Sequence, residues 1–301
     1  MNEPINPRAE IRTEARAETL VTGIRYQVAG RGDPPVVLVH GFGAHAHFWR
    51  KWVPTLALRH RVFTVDLAGA GRSPAPPDAD YSPQAQALRL AQMMRDIGSP
   101  PPVLVGHSLG AGIVCLAALH LADDDPPCPL GGLVLVSGAV YAQRLPPFLT
   151  LARLPGLGEL FLLAPPPRLL LRAGLRGIVR KKDCVDAELV EGYREPFRSR
   201  ERRRAMLSAA RQIDLEGAAI LADRIPGLDI PTLLIWGEED PVVALDQGVR
   251  LSREIPDASL VVLPGVGHLP PEEDPAGSLA PVLTFLSSLN GPSSGSAVAA
   301  P

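Results

Sequence analysis

Ser108 stands between two glycines in the stretch VLVGHSLGAG (residues 103–112), which fits the pattern G-x-S-x-G. An apolar strand-like run precedes the serine and an apolar helix-like run follows it at once, so a tight strand-to-helix turn is predicted here. In such a turn Gly106 and Gly110 bring no Cβ atom against the neighbouring elements. This context favours a nucleophile over a serine in an ordinary glycine-rich turn.

The same pattern occurs a second time near the end of the chain, around Ser293. Residues 290–301 have the low-complexity sequence NGPSSGSAVAAP and are predicted to form a disordered tail. Because Ser293 follows no strand pattern and precedes no helix pattern, we expect no catalytic role for it.

A serine hydroxyl needs a neighbouring base to take its proton before it can attack a substrate. His268 is the candidate base, because it lies four residues beyond the last strand-like run, where the other parallel strands also end. His107 is adjacent to Ser108 in the chain, but consecutive side chains diverge. We expect His107 to pack nearby, where it is a candidate substrate contact.

A histidine base needs a carboxylate to hold its tautomer, and the segment TLLIWGEEDPVV (residues 232–243) supplies one after the preceding strand-like run. Asp240 is the predicted acid, while Glu238 and Glu239 remain open as alternatives. Asp246 is placed in the following helix. The competing interpretation is that Asp240 only caps a helix that begins at Pro241.

The oxyanion of a tetrahedral intermediate needs two hydrogen-bond donors. The N–H of Leu109, at a helix N-terminus, is one candidate, and the N–H of Phe42 in the loop HGFGAHAHFW (residues 40–49) is the other. His45 and His47 in that loop form an H-x-H pair without a nearby set of further ligands. We therefore expect no metal and no other cofactor.

Six short, nearly continuous apolar runs are typical of strands buried on both faces of a parallel sheet. They lie at residues 36–40, 61–66, 103–107, 133–137, 232–236 and 260–264. Helix-like stretches separate them, which predicts a mostly parallel, doubly wound α/β sheet with right-handed crossovers. An opening antiparallel pair is predicted within residues 19–30.

The strand–helix alternation stops after Val140 and resumes only at Ile230. The intervening proline-punctuated and Arg-rich sequence predicts a helical insertion on a strand-based core. The predicted organisation is a discontinuous core at 19–140 and 229–289, an insertion at 141–228 and an N-terminal extension at 1–18.

Composition sets further limits on function. The 301 residues carry a formal charge of -2, with 46% hydrophobic residues, and give no general reason to expect a nucleic-acid partner. Three cysteines without C-x-x-C spacing fit neither a disulfide framework nor a zinc site. With a charged N-terminus and no apolar run of membrane-spanning length, the sequence predicts a cytoplasmic protein with no integral membrane segment.

Over residues 19–289 the chain resembles the α/β-hydrolases, a resemblance carried by five motifs in the family's order. These are HGFG (40–43), DLAGAGRS (66–73), GHSLGAG (106–112), WGEEDPVV (236–243) and GVGHLPPEEDP (265–275). The resemblance implies a triad of Ser108, Asp240 and His268, oxyanion donors at Phe42 and Leu109, and a lid formed by the insertion. One departure is Ala68, where relatives often have proline.

By this resemblance the chain is expected to be a serine hydrolase that cleaves a small-molecule carboxylic ester through an acyl-enzyme. Serine at the nucleophile position argues against the dehalogenase and epoxide-hydrolase branches, which use aspartate there. Hydrolysis of carbon–carbon bonds in vinylogous diketones, or of thioesters, lactones or amides, remains open on the same triad. A non-catalytic binding protein of this fold is the alternative outside enzymes.

The insertion begins with a Leu-rich half, residues 149–163. These side chains are predicted to line an apolar acyl pocket, with Leu160 and Phe161 as candidate substrate contacts. The alternative is that they dock the insertion on the core. Arginines recur every four residues in the next stretch, which indicates a solvated helix face or, alternatively, a membrane-surface or acidic-substrate contact. They are Arg168, Arg172, Arg176 and Arg180.

Overall fold

An eight-stranded sheet forms the centre of the molecule, which the computed structural model describes over residues 18–19, 23–163 and 166–289. The strands are β1 (Glu18–Thr19), β2 (Arg25–Ala29), β3 (Val36–Val39), β4 (Val62–Asp66), β5 (Val103–His107), β6 (Gly132–Val136), β7 (Thr232–Gly237) and β8 (Ala258–Leu263). Their spatial order is β1-β2-β4-β3-β5-β6-β7-β8.

The strands β3 to β8 pair in parallel, whereas β2 runs antiparallel to both β1 and β4. The six predicted strands, the mostly parallel sheet and the antiparallel opening are thus confirmed. The pairing begins at Glu18, one residue before the predicted start of the core. In-register pairing of Val39 with Gly106 brings the carboxyl ends of β3 and β5 to the same edge.

Helices cover both faces of the sheet. They are α1 (Val53–Leu56), α2 (Pro83–Ile97), α3 (Leu109–Ala122), α4 (Pro147–Arg153), α5 (Leu157–Leu163), α6 (Arg168–Ile178), α7 (Ala187–Arg194), α8 (Arg200–Arg211), α9 (Leu215–Arg224), α10 (Leu245–Glu254), α11 (Pro270–Glu273) and α12 (Pro275–Leu289). Short 3-10 turns include Ala46–Trp49 and Glu195–Phe197.

Two apolar clusters sandwich the sheet. On one face Met93 and Ile113 from α2 and α3 pack against alternate strand residues, and on the other Trp49, Trp52 and Val282 do the same. Each fully buried aliphatic side chain contributes roughly 1.5–3 kcal/mol relative to an exposed one. Burial on both faces explains why the strands read as continuous apolar runs.

The helical insertion, residues 141–228, lies between β6 and β7 and contributes α4 to α9. Its described residues contain no strand. Side-chain caps begin several of its helices: Asp186 accepts from Leu189 N–H, and Ser199 accepts from Arg202 N–H. The sequence therefore encodes these helices locally.

The predicted N-terminal extension, apart from residue 18, and the predicted tail with Ser293 lie outside the described residues. Within the part of the chain that the structure describes, no helix has the length and apolar character needed to cross a bilayer.

Candidate active site

Ser108 occupies the sharp turn between β5 and α3 with φ of 52° and ψ of -120°. This left-handed backbone is costly for a residue with a Cβ atom, and it persists because the surroundings fix it. A Cβ atom on Gly106 would lie 2.5 Å from the carbonyl oxygen of Gly110, and one on Gly110 would lie 2.5 Å from that of His40. The two glycines are therefore required by the close approach of α3 to β5 and to the end of β3.

A chain of hydrogen bonds runs from Ser108 through His268 to Asp240. The distance between Ser108 Oγ and His268 Nε2 is 3.0 Å, and His268 Nδ1 lies 2.9 Å from Asp240 Oδ2 and 3.1 Å from Oδ1. The carboxylate can only accept, so Nδ1 of a neutral imidazole carries the proton and Nε2 is left to accept from the serine hydroxyl. The tautomer needed in a general base follows from these partners.

The carboxylate of Asp240 reaches His268, and the side chain of Asp240 is fully buried. Its Oδ1 also accepts the N–H groups of Val242 (2.8 Å) and Val243 (2.9 Å). Burial opposes ionisation of this carboxyl, but the charge and hydrogen bond of His268 and these N–H groups outweigh it and lower its pKa. Asp240 caps a turn through these two N–H groups and not a helix that begins at Pro241, because the next helix, α10, begins only at Leu245.

The alternative acids point elsewhere. Glu238 and Glu239 are exposed, and Glu239 pairs with Arg180 at 3.0 Å. Asp246 lies in α10, as predicted. The structure therefore brings only Asp240 among these four described acids to within hydrogen-bond distance of His268.

His107 packs against the ring of His268. It is buried between the rings of Phe48 (4.5 Å between centroids) and His268 (5.0 Å), and its Nε2–H donates to the carbonyl oxygen of His268 at 2.9 Å. Burial lowers the pKa of His107 to about 3, so the ring stays neutral at physiological pH. These contacts support the His268 loop, and a contact between His107 and substrate stays a prediction.

His40 fixes the loop that follows β3, a role that the sequence analysis missed although the HG pair marks the position. Its Nδ1–H donates to the carbonyl oxygen of Gly41 at 2.8 Å, and its Nε2 accepts the N–H of Leu67 at 3.1 Å. Burial lowers its pKa and keeps it neutral. A Cβ atom on Gly41 would lie 3.0 Å from Ser108 Cβ, so this loop is pressed against the serine.

A cavity of about 60 Å³ reaches Leu109, the residue after Ser108, although Ser108, Asp240 and His268 are not among its lining residues. Both predicted oxyanion donors, Phe42 and Leu109, line it. Its other apolar walls come from the loop after β4, from Tyr81, from α3 and from α8 of the helical insertion: Leu67, Ala68, Ala70, Tyr81, Ile113, Ala205, Met206 and Ala209. The structure thus gathers the predicted donors around one small apolar space.

No described side chain of the Leu-rich half of the insertion is part of this wall. Leu160 is 70% exposed and is not part of the cavity lining, while Leu149 packs on Leu207 of α8. The side chain of Phe161 lies outside the described residues. For Leu149 and Leu160 the structure favours docking or surface positions, and α8, whose small side chains face the cavity, is the element that sequence reasoning missed.

The pair His45 and His47 makes no metal site with its described neighbours. The two rings stack at 5.8 Å, and His45 Nε2 lies 3.1 Å from the carbonyl oxygen of Gly192. In the described ranges no group of three or more His, Cys, Asp or Glu side chains is placed to hold a metal ion. A wider cleft of about 800 Å³ passes these histidines but is lined by none of Ser108, Asp240 and His268.

The fold and this site define a hydrolase of the alpha/beta hydrolase fold. The sequence profile of that family matches residues 34–275, and the chain belongs to it. It is 31% identical to "Uncharacterized hydrolase YugF" of Bacillus subtilis (strain 168), over 83% of this chain and 88% of that protein.

The chain has two further similarities to known proteins. The chain is 28% identical to the 2-hydroxy-6-oxo-6-phenylhexa-2,4-dienoate hydrolase of Burkholderia cepacia, over 80% of this chain and 82% of the relative. The crystal structure of an alpha/beta hydrolase fold protein from Burkholderia ambifaria superposes with a TM-score of 0.72 at 28% identity, covering 87% of this chain and 93% of that one.

Proposed function

We propose that this hydrolase cleaves a carboxylic ester through an acyl-enzyme intermediate on Ser108. The observation that carries the proposal is the continuous hydrogen-bond chain from Ser108 Oγ through His268 to the buried carboxylate of Asp240. A serine that stands on a tight turn beside a correctly protonated imidazole is an activated nucleophile.

In the first half-reaction Ser108 Oγ attacks the ester carbonyl carbon while His268 Nε2 takes the hydroxyl proton. Asp240 stabilises the resulting imidazolium through Nδ1–H. The backbone N–H groups of Leu109 and Phe42 stabilise the oxyanion, and the positive end of the α3 dipole adds to their effect. Collapse of the tetrahedral intermediate breaks the carbon–oxygen bond, and His268 returns the proton to the leaving alcohol.

In the second half-reaction water attacks the acyl carbon of the ester on Ser108, and His268 again takes the proton. Collapse of this intermediate releases the carboxylic acid, and His268 gives its proton back to Ser108 Oγ. The buried His268–Asp240 pair needs no rearrangement between the two steps, because each uses the same hydrogen bonds.

The cavity lining favours a neutral, apolar acyl group. Among the described lining residues Arg202 is the one charged side chain, and its guanidinium is already paired with Glu195. The apolar walls contributed by Met206 and its neighbours on α8 suit a short hydrocarbon group. In this proposal the helical insertion acts as the cap over Ser108.

Covalent labelling with a fluorophosphonate tests the proposal directly. Wild-type protein is expected to gain one phosphonyl group by intact mass, and Ser108→Ala is expected to gain none while keeping its fold by circular dichroism. Ser293→Ala, in the second G-x-S-x-G pattern, is the matched control and should label like the wild type. Label that persists in Ser108→Ala would overturn the assignment.

A second candidate is hydrolysis of a carbon–carbon bond in a vinylogous diketone. The similarity to a dienoate hydrolase favours it, and the same three side chains would serve. The paired state of Arg202 argues for the ester, because a dienoate carries a carboxylate that needs a cation. Measuring kcat/KM for p-nitrophenyl butyrate and for a vinylogous diketone acid decides between the two reactions. We expect the larger value for the ester, and a larger value for the diketone acid would favour carbon–carbon bond hydrolysis.

A further inference from the structure

One buried carboxylate accepts hydrogen bonds from the loop that carries His268. Glu273, at the end of α11, is 6% exposed. Its Oε2 accepts the N–H of Gly267 at 2.9 Å, and its Oε1 accepts the N–H of Leu269 at 3.1 Å. The two residues that flank His268 are therefore tied to a single side chain.

The same carboxylate also holds the helical insertion. Its Oε2 accepts the N–H groups of Arg180 (2.6 Å) and Lys181 (3.1 Å), which follow α6. Nearby, the carbonyl oxygen of Ile178 accepts the N–H of His268 itself at 2.9 Å. Residues 178–181 and the His268 loop thus meet at Glu273, although about 90 positions separate them in the chain.

The fit between these two segments leaves little room for adjustment. A Cβ atom on Gly267 would lie 2.9 Å from Ile178 O, 3.0 Å from Arg180 N and 3.0 Å from Glu273 Oε1. Four backbone N–H groups converge on one carboxylate, and an unsatisfied buried N–H is costly. A change at Glu273 must therefore move the His268 loop, the insertion segment or both.

We propose that Glu273 is a positioning residue for His268, and that it couples the placement of this imidazole to the docking of residues 178–181 of the insertion. The inference rests on the proposed function, in which His268 is the general base. Glu273 does not contact Ser108 or Asp240 in any described hydrogen bond, and it acts through the backbone on either side of His268.

The neighbouring Glu272 provides a matched control. It is also a buried carboxylate of α11, but it binds the side chains of Arg50 and Lys51 instead of the His268 loop. Glutamine at either position keeps the size of the side chain and removes the charge. Only at position 273 does the new amide NH₂ face N–H donors that flank His268.

The first experiment compares Glu273→Gln with Glu272→Gln, each at a temperature where circular dichroism shows it folded. We expect Glu273→Gln to lower the fluorophosphonate labelling rate and kcat on p-nitrophenyl butyrate by on the order of 10-fold or more, with KM within about threefold. Glu272→Gln should lower the melting temperature but keep the wild-type labelling rate, because its partners do not touch His268.

The second experiment tests the coupling from the side of the insertion. Lys181 has φ of -77°, which proline can adopt, so Lys181→Pro removes this N–H donor without demanding a new φ. Lys181→Ala keeps the N–H and removes only the ion pair with Asp274. We expect a labelling rate several-fold lower in Lys181→Pro and within about twofold of wild type in Lys181→Ala.

The outcomes separate the two proposals. If wild-type protein labels at Ser108 and folded Glu273→Gln labels equally fast, Glu273 has no positioning role. If Lys181→Pro and Lys181→Ala behave alike, the coupling to the insertion is refuted. If wild-type protein is not labelled at all, the proposed function fails, and the role of Glu273 falls with it.

Discussion

The sheet and the helical insertion are built in different ways. Every residue of β3 is fully buried, whereas in the insertion Leu160 and Leu169 are 70% and 79% exposed. A Cβ atom on Gly110 in the core would lie 2.5 Å from His40 O, while one on Gly174 in α6 of the insertion would meet nothing within 4 Å. A close-packed core can hold reacting groups in fixed positions, and a loosely packed insertion can change its inner surface at little cost to the fold.

The candidate active site uses both kinds of construction. Ser108, Asp240 and His268 all follow strands of the sheet, and His268 is further held by His107 from the core. One wall of the cavity comes from α8 of the insertion, and the loops after β3 and β4 of the core form much of the rest together with α3. We therefore expect changes in the core to act on rate and stability, and changes on α8 of the insertion to act mainly on the choice of substrate. Residues 178–181 of the insertion are the exception, because they contact the His268 loop through Glu273.

The largest expected effects lie in the core. His268→Ala should lower kcat about as much as Ser108→Ala, by roughly 10⁶-fold, while Asp240→Asn should cost roughly 10⁴-fold, because triad members act as a unit and the acid is the least critical. Steady-state hydrolysis of p-nitrophenyl butyrate measures the ranking. Near-wild-type kcat in His268→Ala, or an equal loss in Asp246→Asn, would show that the base or the acid is misassigned.

A matched pair of glycine substitutions contrasts the two regions in stability. Gly110→Ala places a Cβ atom 2.5 Å from His40 O and should lower the free energy of unfolding by about 3 kcal/mol or more. Gly174→Ala, inside α6, should raise it by about 0.5–1 kcal/mol through helix propensity. Urea denaturation measures both, and a tolerated Gly110→Ala would contradict the tight packing of α3 on the sheet.

The pH dependence of stability should come from buried core histidines. The pKa of His107 in the folded protein is about 3, below the unfolded value of roughly 6.5, so the unfolded state binds the extra proton between these values. Stability is therefore full above about pH 6.5 and should fall by about 1 kcal/mol per pH unit as the pH drops toward 4.

Urea denaturation from pH 7 to 4 measures this slope, and His107→Gln, which lacks the titrating ring, should reduce it. In the insertion, Glu191 has its pKa lowered to about 2 by Arg198 and Arg194, but it is exposed to solvent and salt. Glu191→Gln should leave the slope between pH 7 and 4 unchanged. If His107→Gln and Glu191→Gln changed the slope equally, the pH dependence of stability would not distinguish the core from the insertion.

The smallest expected effect concerns substrate choice. Met206→Ala should widen the cavity that reaches Leu109 and raise kcat/KM for octanoate relative to acetate by a few-fold, because added methylenes gain buried contacts. Leu160→Ala should leave the ratio unchanged, since this side chain is exposed. A p-nitrophenyl ester series measures the ratio. If Leu160→Ala changed the ratio and Met206→Ala did not, the acyl pocket would be lined by the Leu-rich half of the insertion.

Much of the core could be predicted because its signals are local. The apolar runs, the turn at Ser108 and the positions of Asp240 and His268 after their strands are all readable within short windows of sequence. Parallel strands carry their C-terminal loops to one edge, so these residues could be expected to converge. The distances of 3.0 Å and 2.9 Å between them depend on packing that no short window contains.

The sequence by itself determined the strand order along the chain, the helical character of the insertion and the serine that opens α3, because each follows from periodicity, capping or turn chemistry. Only the tertiary structure decided that α8, and not Leu160, faces the cavity. The hydrophobic effect is non-directional, so a leucine in the sequence can equally dock a helix on the core or line a pocket. The tertiary structure also decided which donors surround Glu273. The donors of its four hydrogen bonds come from two separate segments, and only folding places them around one carboxylate.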